Sequence, residues 1–257
     1  MDNSDLPLIY LGILIGLLAI AAIMIPKKLL TNAGLIHAWS LGIIIWGTLG
    51  WQGYTVILFY FLVGSAVTRV GMAEKEAAGI AEKRSGARGP ENVWGSALTG
   101  TLCALGVWGI NHWEMRVFDP WAMPLLLGYI ASLSTKLSDT CASEVGKAYG
   151  QRTFLITTLK PVPRGTEGAV SLEGTLAGVV ASIAIALVGW LLGLITATGI
   201  LICAIAAFVA TNIESVIGAT LQDRLQWLTN EIVNIINTTV GAGVAMAIMI
   251  ALEQVKG

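Results

Sequence analysis

A polar segment, SDTCASEVGKAYG at positions 138–150, holds two carboxylates and a lysine directly after an apolar run long enough to cross a bilayer. At about 100° per residue, a helix aligns four of these residues on one narrow stripe: Asp139, Ser143, Gly146 and Gly150. No large side chain lies on this stripe, so a phosphate group or metal ion can approach the backbone. The segment predicts the floor of an active site. The alternative is a helix end whose carboxylates merely reach the lipid headgroups.

A second polar segment runs from Lys147 to Gly174, where prolines and glycines exclude an unbroken helix. Its free backbone N–H groups lie next to Lys160 and Arg164 and lead into the N-terminus of an apolar helix. This arrangement predicts an anion-binding cradle. An ordinary solvated loop is the alternative. The residues assigned to phosphate binding at the cradle are Gly165, Thr166, Gly168 and Gly174.

A third set of polar residues consists of amides around the last two apolar segments. Asn230, Asn234 and Asn237 form one helical stripe, which Gly241 continues, and Asn212 lies late in the preceding span. A polar side chain at membrane depth needs a partner or a cavity. The stripe therefore predicts a polar cavity, with hydrogen bonding between helices as the alternative.

Several known catalytic motifs are missing from the sequence. It contains no GxxxxGK[ST] phosphate loop, no GxGxxG, no HExxH and no GxSxG. In the predicted topology His37 and His112 lie on opposite sides of the membrane, which disfavours histidine-dependent hydrolysis and histidine-bound metals. The remaining carboxylates, amides, lysines and arginines are the residue types of metal-assisted phosphoryl transfer.

The composition is that of an integral membrane protein. Of 257 residues, 55% are hydrophobic and 12% are charged, and the mean hydropathy is +0.76. The 30 glycines favour closely packed transmembrane helices. A formal net charge of −1 argues against a nucleic-acid partner. Isolated Cys103, Cys141 and Cys203 indicate neither a disulfide framework nor a zinc site.

The predicted fold is an all-α, polytopic transmembrane helical bundle that forms a single domain over residues 1–257. Seven or eight spans are expected, with eight preferred; the two short ones flank a segment, Trp51 to Tyr54, that is read as a tight turn or as the break of a re-entrant pair. The spans are Pro7–Ile25, Leu35–Gly50, Tyr54–Val70, Val93–Asn111, Trp121–Leu137, Thr175–Thr196, Gly199–Ala219 and Ile232–Leu252.

The positive charges predict the orientation, because lysine and arginine concentrate in cytoplasmic loops. With eight spans, all of the 15 lysines and arginines except Arg116 and Lys256 fall on one side. That side is predicted to be cytoplasmic and to carry the active site, on loops near residues 71–92, 147–174 and 220–231.

Three stretches resemble the membrane-protein family that includes the phytyl-phosphate kinases of plants and cyanobacteria. They are SDTCASEVGKAYG, then ITTLKPVPRGTEGAVSLEGTLAG at positions 156–178, and NIESVIGATLQ at 212–222 followed by LTNEIVN. More distantly, D-x-x-A-S-x-x-G and SLEGTLAG are similar to motifs of CTP-dependent phytol and dolichol kinases. Ser138 departs from those kinases, in which a glycine commonly precedes the aspartate.

The resemblance implies transfer of a phosphate from a nucleoside triphosphate, with CTP preferred, to phytyl (isoprenoid) monophosphate. The product would be the diphosphate used for tocopherol and phylloquinone synthesis. Asp139, Lys160, Arg164 and Glu173 are then the candidate catalytic residues. Magnesium is assigned to Asp139 with Glu173, or with Glu144, and phosphate binding extends to Ser138, Ser143, Lys147 and the amides named above. The lipid bilayer is the other expected partner, and a homo-oligomer is compatible with the sequence.

Other functions use similar residues. A lipid or isoprenoid transporter would place acidic and amide residues along a translocation path. A CTP-dependent lipid cytidylyltransferase would release pyrophosphate, and a polyprenol kinase would phosphorylate an alcohol.

Overall fold

The computed structural model describes residues 29–82, 86–113, 115–222 and 224–256, so the predicted first span, Pro7–Ile25, lies outside it. This part of the chain is predominantly α-helical, which confirms the all-α class. The helices are α1 (Asn32–Arg69), α2 (Met72–Ala77), α3 (Pro90–His112), α4 (Asp119–Tyr149), α5 (Leu172–Leu191), α6 (Ala197–Ile217) and α7 (Asn230–Lys256). A π-helical turn, Gly218–Gln222, follows α6, and two strands, β1 (Thr153–Leu155) and β2 (Ala169–Ser171), lie between α4 and α5.

Helix α1 consists of two helices joined at Gly50, whose φ of 67° and ψ of −164° interrupt the helical backbone. The two halves fold back on each other. A Cβ added at Gly42 would lie 2.9 Å from the Tyr54 ring, although an unbroken helix would separate residues 42 and 54 by about 18 Å along its axis. The break lies one residue before Trp51, where the sequence predicts a turn or the break of a re-entrant pair.

Helix α4 forms the centre of the bundle and packs against α1, α3, α5, α6 and α7. Side chains in its middle turns, such as Tyr129, Leu133 and Leu137, are fully buried. The Tyr129 hydroxyl donates a hydrogen bond of 2.6 Å to the carbonyl oxygen of Gly53, near the turn of α1. This bond satisfies a hydroxyl that would otherwise be costly to bury, and it ties α4 to the hairpin.

Small residues allow α4 and α5 to cross at close range. Ser138, Ala142 and Gly146, spaced four residues apart on α4, face Gly174 and Gly178 on α5. A Cβ added at Gly178 would lie 2.9 Å from the carbonyl oxygen of Ser138, and one added at Gly174 would collide with the carbonyl oxygen of Ala142. Helix backbones can approach this closely only where side chains are small. The small residues of α4 therefore serve helix packing as well as the predicted site.

The two strands connect α4 to α5. They are antiparallel, with Thr153 opposite Ser171. Ser171 also caps α5, because its Oγ accepts a 3.1 Å hydrogen bond from the Gly174 N–H. The chain thus turns directly from the second strand into a helix, which fixes that helix N-terminus beside the end of α4.

Five helices in the described ranges are long and apolar enough to cross a membrane, judged by length and composition. They are α1, α3, α5, α6 with its π-helical turn, and α7. Two predicted spans correspond to the halves of α1, and α4, which holds the predicted span Trp121–Leu137, is not among the five. The predicted count of seven or eight spans is therefore not confirmed.

The close crossing gives a stability prediction. Gly178→Ala is expected to lower the free energy of unfolding by about 1–3 kcal/mol, because the new Cβ must displace the backbone of Ser138. Gly243→Ala is the matched control: no atom of the described residues lies within 4 Å of a Cβ at that exposed helical position. The control should be stabilised by about 0.4–1 kcal/mol. Equilibrium unfolding in detergent micelles measures both, and a loss of equal size in the two variants would contradict the crossing.

Candidate functional site

A cavity of about 780 Å³ lies where α1, α4 and α6 end and where α3, α5 and α7 begin. Each of the three predicted polar segments contributes to its wall. The sequence-predicted site residues that line it are Ser138, Asp139, Ser143, Glu144, Lys147, Gly165, Thr166, Gly168, Gly174, Asn212, Asn230 and Asn234. Residues far apart in the sequence thus meet at one end of the bundle, as the prediction of a composite site requires.

Lys136 is the hub of the cavity wall. Its Nζ lies 2.5 Å from Oδ2 of Asp139, one turn further along α4, and 2.7 Å from Oδ1 of Asn234 on α7. Both charged side chains of this pair are about one-tenth exposed. The ammonium therefore joins two helices and places a carboxylate and an amide side by side.

A second carboxyl group, that of Glu214 on α6, faces the same hub. It interacts electrostatically with both Asp139 and Lys136, and it lines the cavity. Two carboxyl groups and one ammonium are thus gathered at a single point of the wall.

Glu144 is occupied by a different lysine. Its carboxylate forms a buried ion pair with Lys75 of the short helix α2, and the Lys75 Nζ also donates a 2.8 Å hydrogen bond to the carbonyl oxygen of Thr68. The side chains of the pair are 0% and 2% exposed. This ion pair anchors the segment after α1 to helix α4, at a point about one turn beyond Asp139.

Two more cations line the cavity. Lys147 forms an ion pair of 3.3 Å with Glu82. Burial lowers the pKa of the Lys147 ammonium, but the carboxylates of Glu82 and Glu144 more than offset this effect and raise the pKa above its ordinary value. The lysine therefore stays charged at neutral pH.

Arg88 is the second of these cations. Its Nη1 donates a 2.9 Å hydrogen bond to the Tyr60 hydroxyl, and its guanidinium lies 5.2 Å from the Tyr60 ring and 5.7 Å from the Phe61 ring. Aromatic contacts orient this cation without neutralising it.

The glycines of the predicted cradle bend the loop against the bundle. Gly165 and Gly168 have φ of 82° and 74°, a conformation that favours glycine. A Cβ at Gly165 would meet Ile80, and one at Gly168 would meet Ser215 and the π-helical turn. The loop thereby closes one side of the cavity between the segment after α2 and the end of α6.

Four predicted site residues lie outside the cavity lining. Lys160 is exposed, and Arg164 donates a 2.9 Å hydrogen bond to the carbonyl oxygen of Ala148. Glu173 accepts a 3.4 Å hydrogen bond from the N–H of Gln151. Asn237 is 1% exposed, one turn deeper than the cavity, and no partner of its amide lies in the described part of the chain. Their roles remain predictions.

Sequence reasoning gave no site role to the residues that hold the cavity together: Tyr60, Lys75, Arg88, Lys136 and Glu214. One signal was present in the sequence. Lys136 and Glu214 are charged residues in or directly beside apolar runs, where a charge needs a partner. No cluster of three or more histidine, cysteine, aspartate or glutamate residues suited to a metal ion occurs in the described ranges.

The apolar bundle and its charged cavity define a membrane-embedded protein with a polar cavity at one end. Residues 15–242 match the family described as Integral membrane protein DUF92, and the chain belongs to this family. The family membership that the motifs indicated is thereby confirmed.

Individual relatives cover most of the chain. Uncharacterized membrane protein sll0875 of Synechocystis sp. is 66% identical over 234 residues, which are 90% of this chain and 87% of that protein. Protein VTE6, chloroplastic, of Arabidopsis thaliana is 45% identical over 220 residues, 84% of this chain and 64% of that protein. Uncharacterized membrane protein MJ0933 of Methanocaldococcus jannaschii is 36% identical over 248 residues, 95% of this chain and 97% of that protein. No solved structure matches the chain.

The buried ion pair gives the prediction of this section. Lys75→Met is expected to lower the free energy of unfolding by about 3–5 kcal/mol, because it leaves the Glu144 carboxylate buried without its main partner. Lys75→Met combined with Glu144→Leu should recover most of that loss. Unfolding in detergent is the measurement, and exposed Lys160→Met is the control. A double variant as unstable as the single one would show that the pair is not the cause. Retained function in the double variant would exclude Glu144 as a metal ligand.

Proposed function

We propose that this protein is an isoprenoid-phosphate kinase of the membrane. It transfers a phosphate from a nucleoside triphosphate, with CTP the preferred donor, to phytyl (isoprenoid) monophosphate, and the diphosphate feeds tocopherol and phylloquinone synthesis. The observation that carries the proposal is the cavity itself. Arg88 comes from the segment before α3, and Lys136 and Lys147 both lie on α4. All three line the cavity together with the carboxyl groups of Asp139 and Glu214, at the end of an otherwise apolar bundle.

The family motifs support the same site. All three stretches that resemble phytyl-phosphate kinases contribute lining residues: Asp139 from the first, Gly168 from the second and Asn212 from the third. They are separate in the sequence and share this cavity. The relatives extend the support, since the similarity to Protein VTE6, chloroplastic, spans 84% of the chain.

The proposed reaction does not need a general base. A phosphate monoester has a second pKa near 6, so its oxygen is already ionised at neutral pH. That oxygen forms a bond to the γ-phosphorus, and the bond from the γ-phosphorus to the bridging oxygen breaks. The nucleoside diphosphate leaves with the electron pair. No proton has to be removed from the acceptor.

The protein's task is to bring two polyanions together. Arg88, Lys136 and Lys147 each contact a partner that orients the cation, respectively Tyr60, Asn234 and Glu82. Pre-oriented cations stabilise charge that develops during the transfer, without reorganising at that moment. The polar side chains of Asn230 and Asn212 add donors and acceptors to the same wall.

We assign the magnesium ion expected from the resemblance to the carboxyl groups of Asp139 and Glu214. Proteins hold Mg²⁺ through one or two carboxylates together with phosphate oxygens of the substrate, and these two carboxyl groups interact at the cavity wall. Glu144 is engaged by Lys75, and Glu173 lies outside the lining. When bound, the ion would supply positive charge that offsets the charge of the nucleotide phosphates. We place the cavity on the cytoplasmic side, following the positive charges around it.

The direct test uses purified protein in detergent with magnesium, phytyl phosphate and ATP, CTP, GTP or UTP in turn. The expected products are phytyl diphosphate and a nucleoside diphosphate. Release of pyrophosphate would indicate cytidylyl transfer instead. Phosphorylation of phytol but not of phytyl phosphate would indicate a polyprenol kinase. No turnover, together with movement of labelled phytyl phosphate across liposomes, would indicate transport.

The metal assignment predicts different results for two conservative variants. Asp139→Asn keeps the size and a hydrogen-bond acceptor for Lys136 but loses the charge, so turnover should fall by at least about a hundredfold. Glu173→Gln should stay within about twofold of wild type, since that side chain is outside the cavity. Kinetics at limiting magnesium, with size-exclusion profiles to confirm folding, provide the measurement. If Glu173→Gln instead lowers turnover more than Asp139→Asn does, Glu173 is the metal ligand.

A second comparison concerns the lysines. Lys147→Ala should raise KM for nucleotide or acceptor about tenfold or more, since hydrogen bonds to charged groups contribute about 1.5–3 kcal/mol. Lys160→Ala tests the cradle predicted from the sequence, and its exposed position predicts a change within about twofold. If Lys160→Ala raises KM more than Lys147→Ala does, the phosphate binds at the loop and not at Lys147.

A further inference from the structure

Apolar side chains of α5 and α6 form part of the cavity wall. Val179 on α5 and Phe208 on α6 both line it. Phe208 is 47% exposed. Of the large apolar side chains that are exposed in the described ranges, it alone also lines the cavity. The polar site therefore continues into an apolar surface at this point.

One stripe of α6 runs from that surface into the site. Leu201, Ile205, Phe208, Asn212 and Ser215 follow one another at spacings of four and three residues, which is one face of a helix. The first three are apolar and exposed, and the last two line the cavity. At 1.5 Å per residue the stripe is about 21 Å long. It changes from apolar to polar along its length, as an amphiphilic ligand does.

The facing side of α5 distinguishes two adjacent valines. Val179 is half-buried and lines the cavity, whereas Val180 is exposed at the surface of the bundle and does not line it. Gly178, next to them, lies so close to the backbone of α4 that the α5 wall is fixed there. This part of the wall is thus formed by one fixed helix and by the Phe208 ring.

We propose that the apolar surface formed by Val179 of α5 and by Leu201, Ile205 and Phe208 of α6 is the binding groove for the isoprenoid chain of the acceptor. The chain lies along Leu201, Ile205 and Phe208, and its single phosphate is held at Asn212 and the Lys136 hub. This inference rests on the proposed function, because it names how that substrate binds. An anion with one apolar tail matches an apolar surface that continues into a cavity containing Arg88, Lys136 and Lys147. Val179 and Phe208 are then the residues that recognise the chain.

Kinetics with two acceptors test the groove. Val179→Trp should lower kcat/KM for phytyl phosphate by at least about tenfold, because the indole occupies space that the chain needs. It should lower kcat/KM for a five-carbon isoprenyl monophosphate much less, because that short chain ends before the groove. Val180→Trp, one residue away on the exposed surface, is the matched control and should change neither constant by more than about twofold. Equal losses for both acceptors, or equal effects of the two tryptophans, would overturn the groove.

A binding measurement judges the groove without turnover. In a background with the three native cysteines replaced by alanine, Phe208→Cys should react with a membrane-soluble maleimide and be protected by phytyl phosphate. Val180→Cys, the control, should react without protection. Absence of protection at position 208, or equal protection by phosphatidic acid, would overturn the groove as an isoprenoid site. A wild-type protein that phosphorylates neither acceptor would refute the proposed function, while protection at position 208 would still support the groove.

Discussion

A charged ammonium inside an apolar bundle must be paired, and the pairing of Lys136 is the interaction on which the rest of this structure depends. Removing such a group from water costs several kcal/mol unless oxygen atoms replace the lost hydration. Asp139 provides one oxygen from the same helix, and Asn234 provides another from a helix 98 positions away. Satisfying one lysine therefore brings α4 and α7 into register. The same contact leaves a carboxylate and an amide at the cavity wall.

Small residues determine where that wall stands. Ser138 and Ala142 touch the backbone of α5 through Gly174 and Gly178, so α4 and α5 cross almost without side chains between them. Ser171 caps α5 at the same level. The helix start that follows the second strand is consequently held beside the carboxylates of α4. Packing and site construction use the same residues here, and a stripe of small residues alone does not reveal which of the two it serves.

The sequence predicted site residues best where charged or amide side chains recur at helical spacing. Asp139, Asn230 and Asn234 were predicted in one polar site, and the structure brings them to one cavity. The loop was harder, because glycine content indicates bending but not its direction. The left-handed turns at Gly165 and Gly168 face the bundle, while Lys160 remains exposed on the outside. The side chains that contact Glu144 and Arg88 could not be predicted from the sequence. Those contacts join residues 69 and 28 positions apart, and only the packing of the helices determines them.

The buried pair between Lys75 and Glu144 gives the cavity its outer wall. Helix α2 has only 6 residues and could not stay folded by itself, yet its lysine is anchored in the bundle. The chain that follows contributes Ile80, Glu82 and Arg88 to the lining, and Glu82 in turn holds Lys147. The ion pair therefore anchors the segment whose Glu82 contacts Lys147. In a cavity that receives polyanions, such anchoring also has an electrostatic consequence. Lys75, which lies outside the cavity lining, neutralises the Glu144 carboxylate. The Lys147 ammonium is therefore not the main partner of Glu144.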